Sequence, residues 1–258
     1  MSNAREREAL LGQLQKDGSS AAQAEAAKLQ KLYHDRQMAG LATDAYASAK
    51  HEGQPPAGWL RATEHPELLS RYVSSLGVST KELLDQLQPE KSGFRAEIYL
   101  PDPAVLGPGY EPVLAFKGSS GEVLTPSGLR DTTVEDFVAN NFPQSVGLET
   151  DYYDRAMRLA TYVKDRGLDF ELTGHSLAGG MASAASAVTG LSATTFNAAG
   201  LHPKTAGRFV EQHGLAVYDV SHRITAYQVQ GELLSNGVQD NIHGMDANQR
   251  QELGGVLR

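Results

Sequence analysis

The sequence predicts an α/β fold: a mostly parallel sheet flanked by helices, with a helical layer at its N-terminal end. Three observations predict it. From Phe94 onward, short apolar runs of strand character alternate with stretches of helical spacing. A glycine-rich turn, Gly174 to Gly180, falls where one such strand passes into one such helix. Residues before about 92 are rich in Ala, Leu, Gln, Lys and Glu at helical spacing. Strands alternating with helices imply βαβ units, which bring parallel strands together with helices on their faces.

Each element has its own signal. Between Glu6 and about Lys50, Leu10, Leu14, Ala22, Ala26, Leu29, Leu32 and Tyr33 mark two helices broken at Gly18, Ser19 and Ser20. Pro55, Pro56 and Gly58 mark a loop, and Trp59 to Leu76 reads as short helical or irregular chain. Ala96, Ile98 and Leu100 alternate with polar residues, and a turn-rich stretch leads to a second strand, Val113 to Phe116, so the two pair as a hairpin. Asp151 in the first turn, Tyr153, Ala156, Met157, Ala160 and Val163 at helical spacing, and Gly167 past the end define a helix. Leu168 to Thr173 is a strand and Met181 to Val188 a helix of small residues. Ala193 to Asn197 is a strand, Pro203 to His213 a helix with proline at its first position, and Arg223 to Val229 a strand. The chain divides into a helical subdomain over 1–92 and a core over 93–258, with no internal repeat.

Composition removes several function classes. A chain of 258 residues suits one well-buried core with an added subdomain. The net charge of −8 with scattered basic residues gives no footprint for nucleic acid. Cysteine is absent, which removes disulfides, thiolate metal sites and cysteine nucleophiles together. The eight histidines have no ligand spacing beside carboxylates. No apolar stretch is long enough for a transmembrane segment, and the first residues turn polar at once. The expectation is a protein cytoplasmic as synthesised that leaves the cell, if it does, by a route independent of a signal peptide.

The stretch Gly174, His175, Ser176, Leu177, Ala178, Gly179, Gly180 has the context of a nucleophile elbow, a strand turning sharply into a helix. Such a turn holds its serine in a strained backbone conformation and needs small neighbours, which Gly174, Ala178 and Gly180 supply. A serine there lies at the positive end of the helix, and the next amide, that of Leu177, can receive a developing oxyanion. The pattern G-x-S-x-G is broken by one methyl group at Ala178. The competing reading is a serine-capped or phosphate-cradling turn, although neither a P-loop lysine nor G-x-G-x-x-G accompanies it.

The strand Val113 to Phe116 runs into Lys117, Gly118, Ser119, Ser120 and Gly121. Together, F-K-G-S-S-G and the later L-T-G-H-S-L resemble the class 3 lipases, whose first core strand ends in F-R-G-[ST]; Lys117 stands where that family has arginine. The resemblance spans roughly Phe94 to Gln230 and implies an α/β-hydrolase-like fold and hydrolysis of acyl lipids. It assigns Ser119 as an oxyanion-hole donor beside Leu177, and a lid between Glu122 and Leu148, a stretch that reads equally as an ordinary surface helix and loop with one buried side. The residues Ala139 to Gln144 and Tyr152, Tyr153, Asp154 also look like lipase-like proteins of xanthomonad-type bacteria that act as secreted antibacterial effectors. That likeness implies an immunity protein as partner.

A serine nucleophile needs a histidine base oriented by a carboxylate, in the chain order Ser, acid, His. Glu232 follows the last strand, Asp240 competes with it, and of the histidines only His243 lies beyond both. Only 11 positions separate Glu232 from His243, against the long stretch found in class 3 lipases, so a histidine beyond Arg258 in a longer parent protein is the competing arrangement. The reading is therefore an ester hydrolase of acyl lipids acting through acyl-Ser176, with transient membrane-surface contact and neither metal nor organic cofactor. Its rival is a non-catalytic binding or effector domain that keeps the elbow as structure.

Overall fold

A computed structural model describes residues 4–107, 109–141 and 149–229 of the chain. Its centre is a six-stranded sheet in the order β1 (Trp59–Arg61), β2 (Ala96–Pro101), β3 (Val113–Phe116), β6 (Glu171–His175), β7 (Ala193–Phe196), β8 (Ile224–Tyr227). The first three strands are antiparallel, and β3, β6, β7 and β8 run parallel. Two strands form a separate hairpin, β4 (Glu122–Thr125) with β5 (Gly128–Asp131). The helices are α1 (Ala4–Asp17), α2 (Ser20–Ser48), α3 (Pro66–Val73), α4 (Thr80–Leu87), the single turn α5 (Pro103–Leu106), the π-helical α6 (Val134–Asn141), α7 (Asp151–Asp165), α8 (Leu177–Thr189) and α9 (Pro203–His213). The expected α/β architecture, mostly parallel strands flanked by helices, is the one observed.

The sheet is covered on both faces, and β3 shows how. Leu114 and Phe116 point into a cluster with Ile98, Leu172, Met157, Leu177, Ala182 and Phe209, which α7, α8 and α9 close over. Val113 and Ala115, one residue out of phase, point the other way to Met38, Leu41 and Ala45 of α2, with Trp59 and Tyr99. All four residues of β3 are buried, the mark of a strand packed on both faces. The 29-residue α2 begins at an N-cap where the Ser19 hydroxyl accepts the Ala22 amide at 3.2 Å. It runs beside β6 in the same direction: His34 meets Glu171, the Met38 carbonyl accepts the Thr173 hydroxyl, and Tyr46 meets His175.

Several boundaries differ from expectation for local reasons. The expected strand over 168–173 begins three residues later, because Leu168 to Phe170 finish the turn after α7 and bury Leu168 and Phe170 against the core. The helix expected from Met181 begins at Leu177, directly after the serine, since two glycines tolerated there let it pack on the strand. Trp59 to Leu76 contains an edge strand, an α-helix and a 3-10 turn, and α4 follows.

Candidate active site

Because β3, β6, β7 and β8 are parallel, their exits share one edge of the sheet, where Phe116, His175, Phe196 and Tyr227 end their strands. In open α/β sheets this edge is where ligands bind. Ser176 lies there, between β6 and α8, with φ 58° and ψ −126°. A side chain in that conformation is strained by about 1–3 kcal/mol and persists only where its surroundings hold it. Here they do: the Ser176 amide donates to the Phe196 carbonyl at 3.0 Å, and its own carbonyl accepts from Ala199 at 2.9 Å and Gly179 at 3.0 Å.

The small residues of the turn are required by contact. A methyl group on Gly174 would collide with the backbone of Ala178, and its position is 2.8 Å from the Ala178 Cβ. One on Gly179 would lie 2.6 Å from the Ala198 Cβ, and one on Gly180 would strike the Tyr153 hydroxyl. The first amides of a helix have no intrahelical acceptor; at the start of α8 the Gly179 amide is taken by the Ser176 carbonyl, which leaves those of Leu177 and Ala178 to an anion. Leu177, the first residue of α8, has a fully buried side chain.

The second loop sits against the first. A Cβ placed on Gly118 would be 2.7 Å from the carbonyl oxygen of His175, so the F-K-G-S turn touches the elbow at the residue before Ser176. Ser119, the next residue, is half-buried. What shapes this loop was not legible from the motif. Lys117 and Asp136 are both fully buried and pair at 3.2 Å. The ammonium also donates to the Gly118 carbonyl and the Ser120 hydroxyl, each at 3.0 Å. Asp136, from the π-helical turn, accepts the amides of Ser120 and Gly121, both at 2.9 Å, the Thr132 hydroxyl at 3.1 Å and the Tyr152 hydroxyl at 2.8 Å. Burial pulls the Lys117 ammonium below its ordinary pKa, against the pull of Asp136. The missed signal was a lysine inside an apolar strand end, which demands a buried anion.

The stretch from Glu122 to Leu148 contains the β4–β5 hairpin and α6; residues 142–148 lie outside the described residues. Leu129 and Val134 there are exposed, 65% and 68%. Glu232, Asp240 and His243 all lie outside the described residues. Just past β8, at the Ser176 edge, the Asn197 side chain accepts the Val229 amide at 2.7 Å. A cavity of about 800 Å³ occupies the opposite end of the sheet, bordered by Glu111, Glu171, Ser192 and Arg223 at or just before strand starts. It contains no residue of the Ser176 turn. Among the described residues no cluster fit to hold a metal ion occurs, and no helix is long and apolar enough to cross a membrane.

The chain is similar in sequence to known proteins. The chain is 29% identical over 220 residues to an extracellular phospholipase A1 of Serratia liquefaciens, an alignment covering 81% of this chain and 59% of that protein. The chain thus spans less than two thirds of the relative's length. The profile of the phospholipase-like group described as the Tle-like phospholipase domain matches residues 37–258, from the middle of α2 through both loops and the elbow. With a lipase-like α/β sheet, an elbow serine at its exit edge and that match over most of its length, this chain belongs to the Tle-like phospholipase domain family.

Proposed function

We propose that this chain hydrolyses carboxylic esters of acyl lipids, phospholipids foremost, through an acyl-Ser176 intermediate. The observation that carries the reading is Ser176 at φ 58°, held at the junction of β6 and α8 against the F-K-G-S loop. Strain of this kind clusters at active sites, ligand clamps and switch regions. Ser176 Oγ attacks the ester carbonyl while His243, oriented by Glu232 or Asp240, takes the hydroxyl proton. The amide of Leu177 and the donors of Ser119 receive the oxyanion, and the histidine returns the proton to the leaving alcohol. Water repeats the sequence on the acyl-enzyme. His175 is a poorer base, because the group 3.1 Å from its Nδ1 is the neutral Tyr46 phenol rather than a carboxylate.

The finer assignment follows the same reasoning. The F-K-G-S and G-H-S-L pair supports a class 3 lipase-like subtype, and the phospholipase relative supports a phospholipid over a neutral glyceride. Exposed Leu129 and Val134 suit transient contact with a lipid surface. That relative is extracellular, which supports export of this chain and a role as an effector opposed by an immunity protein.

The test is labelling with an alkyl fluorophosphonate alongside phospholipid vesicle hydrolysis. Stoichiometric label on Ser176, with labelling and lipid hydrolysis both lost in Ser176→Ala, is the expected result. Label recovered on another serine, or lipid cleaved at the wild-type rate by Ser176→Ala, rejects it.

A further inference from the structure

We infer that Tyr46, carried in on α2, is a positioning residue for the nucleophile turn: its hydroxyl holds the peptide group that joins His175 to Ser176. The inference rests on Ser176 being the nucleophile. Nothing in the F-K-G-S or G-H-S-L motifs points to α2, which lies in the N-terminal layer.

The geometry is a three-way junction. The Tyr46 hydroxyl lies 3.1 Å from Nδ1 of His175 and 3.2 Å from the carbonyl oxygen of the same residue. The two rings are 6.0 Å apart and tilted by 59°. On the third side is Gly118: a Cβ there would collide with the Tyr46 hydroxyl and come within 2.9 Å of its Cζ. Glycine in the F-K-G-S turn therefore makes room for the phenol between the two loops.

A phenol has one proton, and the two short distances constrain where it goes. If it is donated to the His175 carbonyl, the imidazole satisfies the phenol oxygen by donating its own Nδ1–H, and both contacts are made at once. If it is donated to Nδ1, the carbonyl contact is lost. The first arrangement uses the geometry fully and fixes the imidazole as its Nδ1–H tautomer. Burial, with the charge of Asp136, pushes the Tyr46 phenol up to about 12, so it stays protonated in neutral and moderately alkaline solution.

The consequence reaches Ser176 through one peptide plane. The carbonyl of that plane is held by Tyr46, and its N–H donates to the Phe196 carbonyl at 3.0 Å. With both ends tied, the plane cannot rotate to relieve the φ of 58° at Ser176, and the direction of Oγ is set. Removing one tie leaves the serine present but less well aimed, and misplacement of about 1 Å can cost 100-fold in rate.

The test compares wild type, Tyr46→Phe and Ser176→Ala by the concentration dependence of labelling with an alkyl fluorophosphonate, and by thermal unfolding. Phenylalanine keeps the ring and removes only the hydroxyl. For Tyr46→Phe the expected result is a maximal labelling rate about 10- to 100-fold lower, with probe affinity within about twofold and Tm within about 2 °C of wild type. An unchanged maximal rate overturns the inference. So does a slower rate accompanied by a Tm fall of more than about 5 °C, which makes Tyr46 a packing residue only. Labelling of Ser176→Ala at the wild-type rate rejects the nucleophile itself, and this inference with it; that failure shows in the alanine variant alone.

Discussion

Single residues in this protein are constrained most where a charge is buried. Lys117 and Asp136 have no exposed side-chain surface, and the carboxylate is completed by two loop amides, a threonine and a tyrosine. Breaking such a pair by removing one partner costs about 3–5 kcal/mol, because the other charge stays buried alone. Lys117→Met is therefore expected to lower the urea midpoint of unfolding steeply, while Lys117→Arg, which keeps the charge, recovers most of the loss. Equal midpoints for the methionine variant and wild type would show that the pair does not hold the loop. From the sequence, Ser119 and the departure from arginine at 117 were legible as motif, but the partner of the lysine was not. Asp136 is nineteen residues away in a π-helical turn, and no periodicity marks which acid of Glu135 and Asp136 turns inward.

At the scale of elements, the β4–β5 hairpin and the start of α6, which follow the F-K-G-S loop in the chain, present Leu129 and Val134 to solvent. Fully burying a side chain of this size contributes about 1.5–3 kcal/mol, and partial insertion into lipid a fraction of that. Leu129→Asp with Val134→Asp is expected to reduce hydrolysis of phospholipid vesicles about tenfold or more while leaving a soluble short-chain ester unaffected. A parallel fall on both substrates would place these residues in the chemistry or the fold instead. The elements themselves were unevenly legible. Strand β3 and helix α9 match their expected residues because apolar runs, proline at the helix start and glycine at its end act locally. The edge strand β1 escaped notice because it is three residues long and one of them, Arg61, is a buried arginine bonded to Asp44. The hairpin β4–β5 escaped because each strand is four residues long and its apolar residues give no period: Val123 and Leu124 are adjacent, and Leu129 stands alone. Ser176 was legible because its motif is local; the expected acid and base, Glu232, Asp240 and His243, follow β8 with no local motif to mark them.

Across the whole molecule, α2 is tied to distant strands by a polar cluster as well as by apolar packing. His34 lies 2.6 Å from Glu171 on β6 and 3.3 Å from Asp35, Lys31 donates to Asp35 at 2.8 Å, and the Tyr227 hydroxyl from β8 donates to Asp35. The contacts to Asp35 and Glu171 raise the His34 pKa to about 9. A folded-state value above the unfolded one means that His34 contributes its full stabilisation below about pH 6.5 and loses it as pH rises through about 9. Wild-type Tm should thus fall between pH 7 and 10 more than that of His34→Gln; identical pH profiles would show that the imidazole carries no such charge. The strand order has a further consequence, in time rather than in space. Reading β1, β2, β3, β6, β7, β8 across the sheet is also reading along the chain, so each strand of the sheet joins an edge already built. A ribosome delivering the chain from its N-terminus extends the sheet in one direction only. After β3 is made, its open edge waits for some sixty further residues, about 3–12 s at ordinary synthesis speeds, before β6 covers it. During that wait α2 already exists to shield one face of β3, and the sheet has a single growing edge, opposite the β1 edge, at any time.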